Sequence, residues 1–179
     1  DEMLDGDTLD DYGWYDPVPP GPHSPHREFR ILGEHTQGGF AEYCLAPAAN
    51  LVEIPEHVSF EVAAAAGLVS VTAWRALMVR GGLRAGERVL ITGASGGVST
   101  VAIQMARLAG AEVFAITRGP ENVERVRDLG AQWVYDRDQG DWGKRVWVDS
   151  GKAGVDLIVD SVGEAVWAQC LKALAVRGR

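Results

Sequence analysis

The chain has 179 residues, 46% apolar and 23% charged, which is the composition of a folded protein with room for about one and a half small domains. Its formal net charge of −8 argues against a nucleic-acid surface. No uninterrupted apolar run in the sequence reaches the ~18 residues of a membrane helix. No basic-then-apolar leader is visible, and the two cysteines, Cys44 and Cys170, lie far apart, so a cytoplasmic protein with free thiols is expected.

Residues 1–30 hold five of the eight prolines and six aspartates, without apolar periodicity, and read as an extended arm. His23 and His26 in this arm lack a third ligand partner and are expected to be solvated. Glu34 and His35 are neighbours whose side chains would diverge on an extended chain, so they are expected to be structural.

Residues 31–60 read as β-rich. Gly38-Gly39 offers a turn before Phe40–Leu45, which alternates as a strand does, and Leu51–Ile54 is a second strand stopped by Pro55. Ser59 precedes Phe60-Glu61-Val62 as a helix N-cap with an acid in the first turn. A helix over 60–67 and another over Thr72–Val79, ended by Gly81-Gly82, are predicted.

From residue 88 strand and helix alternate. Buried strands are predicted at Val89–Ile91, Val113–Ile116, Trp133–Tyr135 and Val155–Val159. Between them lie helices after Gly97, over Glu121–Leu129 and over Trp142–Val148, with a last one at Glu164–Leu174. The pattern predicts an α/β class with a parallel, doubly wound Rossmann sheet. Four strands are countable where six are usual, so the sheet is expected to be partial.

The segment with the most chemistry is Thr92-Gly93-Ala94-Ser95-Gly96-Gly97-Val98-Ser99, directly after the first strand and opening a helix. In the G-x-G-x-x-G fingerprint the small residues serve a tight turn, a close approach to a diphosphate, and close helix–strand packing. Here Ala94, Gly96 and Ser99 take those places. Free N–H groups at the helix mouth would grip the phosphates. An NAD-binding unit usually puts Asp or Glu roughly 20 residues on, at the end of the second strand. Here Thr117 and Arg118 stand instead, which favours a 2′-phosphate and therefore NADP(H).

Taken in order, Gly33-Glu34-His35, Gly38–Tyr43, Ala63–Ala66, Thr72-Ala73-Trp74 and Ala94–Ser99 make the chain from about Ile31 onward resemble the medium-chain dehydrogenase/reductases. Its zinc-type alcohol dehydrogenase-like and quinone oxidoreductase-like branches are the most similar. The resemblance implies the C-terminal part of a GroES-like β domain over 31–70, then a truncated Rossmann coenzyme domain over 71–179. It implies coenzyme contacts at Thr72, Gly96, Gly97, Val98, Thr117, Arg118, Ser161 and Val162, which join Gly93 and Ser95 of the loop as candidates. Zinc-dependent members have four cysteines in a lobe before the Gly-Gly-Phe segment and a ligand four residues before the Thr-Ala pair. Residues 1–30 contain no cysteine and Leu68 stands at the ligand position, so no zinc is predicted.

A short-chain dehydrogenase is excluded because no tyrosine is followed four residues later by lysine. The expected activity is NADP(H)-dependent reduction of a carbonyl or activated C=C bond in a small molecule, without membrane or nucleic-acid partners. The full-length protein is expected to be a dimer or tetramer. The alternative is a non-catalytic NADPH-binding or interaction protein, a pseudo-enzyme fragment. No catalytic side chain is identifiable. Cys44 and Cys170 are expected to be buried small hydrophobes.

Overall fold

The computed structural model describes residue 33, residues 38–46, residue 48 and residues 51–179. The arm, its two histidines and the Glu34-His35 pair lie outside the described residues. By internal contacts the chain divides into two compact units, Asp1–Glu56 and His57–Arg179.

In the first unit, the described parts of 38–46 and 51–54 form bends and open chain rather than the two expected strands. A strand exists only by pairing, and among the described residues neither segment has a partner. Phe40 and Tyr43 are fully or almost fully exposed. Cys44 is exposed as well, correcting the expectation that it is buried.

The second unit begins with α1 (Phe60–Trp74), and Ser59 caps it as expected, its Oγ accepting the Val62 N–H at 3.3 Å. The predicted break between two helices is absent. A single Gly67 is tolerated inside a helix, and the chain runs through Leu68–Val71 into a π-helical turn, Arg75–Arg80. Gly81 N–H closes that turn on Ala76 O at 2.8 Å. The joined helix, Phe60–Arg80, is long and apolar enough to cross a membrane by length and composition. The sequence count missed it because Arg75 interrupts the apolar run. One face is engaged elsewhere: Ala73 and Leu77 are fully buried in the core of the unit.

Four short parallel strands follow: β1 (Arg88–Ile91), β2 (Glu112–Thr117), β3 (Trp133–Asp136) and β4 (Leu157–Val159), in the sheet order β3-β2-β1-β4. Helices α2 (Gly97–Leu108), α3 (Pro120–Asp128), α4 (Trp142–Asp149) and α5 (Glu164–Ala173) alternate with them. Strand periodicity of two sends neighbouring residues to opposite faces. Val89, Ile91, Val113, Ala115, Val134 and Leu157 join the α1, α2 and α3 side chains in one core. Leu90, Phe114, Ile116 and Tyr135 join Trp142, Val146, Val166 and Cys170 of α4 and α5 in the other. This is a doubly wound sheet, as the sequence predicts.

The order 3-2-1-4 places a topological switch point between β1 and β4. Chain continuity runs outward to β2 and β3 from one and arrives from β3 at the other. Ligands of open α/β sheets bind outside the carboxyl ends of the strands at such a point. The predicted Val155 start of the fourth strand is an isolated bridge to Leu174. Farther on, Arg179 N–H donates to Asp156 O and Ile158 N–H to Arg179 O, the ladder pattern of one more parallel pair at the outer edge of β4.

Candidate coenzyme site at the carboxyl ends of the strands

The loop after β1 is shaped by its backbone. Gly93 sits at φ +55°, and a Cβ there would lie 3.1 Å from Ser161 Oγ and 3.2 Å from Val162 Cγ2. Both conditions demand glycine. Ala94 N–H donates to Ile116 O at 2.9 Å, tying the loop to β2. Gly96 is the N-cap of α2, extended at φ −78° and ψ 159°, with no side chain capping the helix. A Cβ at Gly96 would stand 3.2 Å from Gly93 O, a tight fit. The first-turn N–H groups of Gly97, Val98 and Ser99 therefore open the helix without intrahelical acceptors. Ser95, Gly96 and Gly97 are exposed.

Ser99 replaces the third glycine of the fingerprint without widening the helix–strand contact. It is buried, and its Oγ donates to Thr92 O at 3.0 Å. The replacement thus adds a hydrogen bond to a carbonyl at the end of β1. Thr72 is exposed on α1, its hydroxyl turned back to Leu68 O at 3.1 Å. It lies three residues on from Val69, whose Cγ1 would be 3.6 Å from a Cβ at Gly97.

The opposite wall of the switch point is the turn after β4. The Asp160 carboxylate accepts the Thr92 hydroxyl at 2.6 Å, Val162 N–H at 2.9 Å and Gly163 N–H at 3.2 Å. Thr92 Oγ1 in turn accepts Ser161 N–H at 3.1 Å. Thr92 is fully buried. One hydroxyl–carboxylate pair thus joins the two loops that flank the crevice. Sequence reasoning named Ser161 and Val162 but missed Thr92 and Asp160 as the pair that sets their position. A hydroxyl ending one strand and a carboxylate ending its sheet neighbour was the available signal.

At the end of β2, Thr117 is 3% exposed and its Oγ1 has no hydrogen-bond partner. A buried unpaired hydroxyl costs about 1–3 kcal/mol, so such an atom points to a missing polar partner. A small hollow of about 80 Å³ opens here, with Gly93, Ser95, Thr117, Arg118, Arg137 and Val162 among its lining residues. Arg118 is not a free cation. Its Nε pairs with Asp138 Oδ2 at 2.9 Å, while Arg137 Nε pairs with Asp138 Oδ1 at 3.2 Å. These pairs hold the Asp138 carboxyl below the usual carboxylate range, Arg118 contributing most and Arg137 next. Arg137 and Asp138 were not foreseen, because they follow β3 and meet Arg118 only through the β2–β3 pairing.

A larger hollow of about 490 Å³ lies between α3 and α4 at the β3 edge, lined by Glu121, Tyr135, Arg145 and others. There the Tyr135 hydroxyl is already satisfied by Asp149 at 2.7 Å, and the Arg145 guanidinium lies over its ring. The smaller hollow is the better candidate because it combines Gly93 and Ser95 of the loop that leads into α2, the unpaired hydroxyl and two arginines. Among the described residues, no group of three His, Cys, Asp or Glu side chains comes together as a metal site would require.

Residues 97–179 match the family model described as zinc-binding dehydrogenase. The chain is 34% identical over 150 residues to a mycocerosic acid synthase-like polyketide synthase of Mycobacterium tuberculosis, covering 84% of this chain and 7% of that protein. It is 35% identical over 156 residues to crotonyl-CoA reductase of Streptomyces collinus, covering 76% and 35%. Among solved structures, an NAD-dependent alcohol dehydrogenase superposes with a TM-score of 0.82 at 39% identity, covering 86% of this chain and 45% of that one. A mycobacterial protein complexed with NADPH superposes with a TM-score of 0.69 at 33% identity, covering 74% and 41%. The chain therefore spans less than half the length of each of these proteins. The strand order, the loop after β1 and these relatives together support the chain's membership of the medium-chain dehydrogenase/reductase family.

Proposed function

We propose that this chain carries the coenzyme site of a zinc-independent, NADP(H)-using reductase acting on a carbonyl or an activated C=C bond. The observation that carries the reading is the buried, unpaired Thr117 hydroxyl, in a hollow that Arg118, Arg137 and the Gly93–Ser95 loop also line. The residue chemistry present suits a nicotinamide dinucleotide. Gly93 and Gly96 leave space that a Cβ would fill, and the N–H groups of Gly97, Val98 and Ser99 would hold the diphosphate. Thr117 and Arg118 would receive the adenosine ribose and its 2′-phosphate, with Arg137 as a second guanidinium. Ser161 and Val162, held by Asp160 and Thr92, would border the chain of the coenzyme across the switch point.

When bound, the coenzyme supplies a hydride. The residues present here would bind it and orient it, with Val98 and Val162 offering apolar surface beside the loop. Leu68 at the position of a zinc ligand supports a metal-independent reaction. Of the two substrate classes, the activated C=C bond is favoured by similarity to a reductase named for crotonyl-CoA, an unsaturated thioester. The small-molecule substrate and the dimer or tetramer of the whole protein belong to the same proposal.

The test is a fluorescence titration of the full chain with NADPH and with NADH, repeated on Arg118→Ala. Preference for NADPH that shrinks by about tenfold in the variant is expected, since a charge-assisted contact is worth roughly 1.5 kcal/mol. Equal binding of both coenzymes by the native chain would overturn the NADP(H) assignment.

A further inference from the structure

We propose that Asp138 is a specificity-determining residue that holds down the affinity of this site for a 2′-phosphate. The inference rests on the dinucleotide reading above and concerns the strength of that one contact. The Asp138 carboxylate lies between two guanidinium groups and binds each through Nε, one per oxygen. The terminal nitrogens of Arg118 and Arg137 remain the groups available to a phosphate ester in the hollow that both line. A cluster of two guanidinium groups would face such a dianion with two positive charges, and Asp138 reduces that to one. The neighbouring Asp136 carboxylate takes part differently. It accepts N–H groups of Gly119 at 3.4 Å and Asp138 at 3.1 Å and the Gln139 amide at 3.3 Å, so it is occupied in shaping the turn.

Two effects of removing the Asp138 charge oppose each other. The arginines lose a partner that orders them, and the phosphate loses a like charge close by. The pairs are exposed, with the Arg118 side chain 73% and the Asp138 side chain 51% accessible. Exposed ion pairs order their side chains only weakly. Repulsion of a dianion at close range is the larger effect, and it is screened by salt.

Asp138→Asn keeps the side-chain shape and one acceptor oxygen. In the full chain it should tighten NADPH binding by about threefold to tenfold at low salt while moving NADH by less than about twofold. The gain should fade above about 0.5 M salt and shrink when Arg118→Ala is added. Unfolding temperatures equal to the native chain show that the fold is unchanged. NADPH binding that is unchanged or weaker in Asp138→Asn, or an equal gain for NADH, would overturn the inference while leaving the coenzyme site intact. A native chain that binds neither coenzyme would instead remove the reading on which it rests.

Discussion

The two halves of the candidate site are built from different materials. The wall at the end of β1 is mostly backbone: glycines at 93 and 96 and open helix amides, braced by a part-buried hydroxyl–carboxylate link from Thr92 to Asp160. The wall at the ends of β2 and β3 is side chain: exposed Arg118 and Asp138 and half-buried Arg137, joined by ion pairs. The first has almost no freedom to change, because each atom is fixed by the sheet beneath it. The second can be retuned one residue at a time. If a dinucleotide binds as proposed, a site of this construction would hold the part common to every dinucleotide rigidly and leave the part that distinguishes them adjustable.

If that contrast is right, Gly93→Val should have the largest effect. A β-branched residue at φ +55° that also strikes Ser161 and Val162 should cost about 2–4 kcal/mol of stability and abolish coenzyme binding. Denaturant unfolding and titration measure both, and a stable, binding-competent variant would break the comparison at its rigid side.

Asp160→Ala comes next. It strands the Thr92 hydroxyl and two backbone amides and should cost about 1–3 kcal/mol, with coenzyme affinity falling in parallel. Thr92→Ser, which retains the hydroxyl, should restore most of the affinity lost in Thr92→Val. If Thr92→Val binds coenzyme as the native chain does, the link has no part in shaping the crevice.

Arg137→Ala should be milder. NADPH affinity should drop about threefold to fivefold with little loss of stability, since the ion pair of Arg137 is made with an exposed carboxylate. A loss as large for NADH as for NADPH would move Arg137 out of the 2′-phosphate pocket.

The smallest effect concerns Cys170, on the face of the sheet away from α2. Burial pushes its thiol up to about 12. A raised value means the native state holds the proton more tightly than the unfolded chain does. Its contribution is therefore complete below about pH 8.5, the unfolded value, and is lost as pH climbs toward 12. Tyr135 is shifted in the same direction by burial and by Asp149. The melting temperature should fall over that alkaline window, and by less in Cys170→Ser than in the native chain. In native conditions a thiol reagent should modify exposed Cys44 quickly and Cys170 only on unfolding.

The sheet was legible because a parallel strand buried on both faces is a short apolar run between glycine turns, and Val89–Ile91 and Val113–Ile116 carry no competing pattern. The loop was legible because Gly96 and Gly97 follow one such run and open a helix. The failures have physical causes. Phe40–Leu45 alternates correctly but has no ladder to join among the described residues, and periodicity alone makes no hydrogen bonds. The two helices predicted over 60–67 and Thr72–Val79 are one, because Leu68–Val71 between them holds no proline or glycine that would end a helix. Arg137 and Asp138, and the link between Thr92 and Asp160, were missed because they depend on strands far apart in sequence, which only the register of the sheet brings together.

The doubly wound topology has a mechanical consequence. The loop after β1 departs into α2 on one face, and the loop after β4 departs into α5 on the other, so the crevice runs along a seam between two separately packed cores. Each loop is therefore anchored in a different core. The Thr92–Asp160 strap crosses that seam, and substitutions there would adjust the gap much as a shim sets a joint.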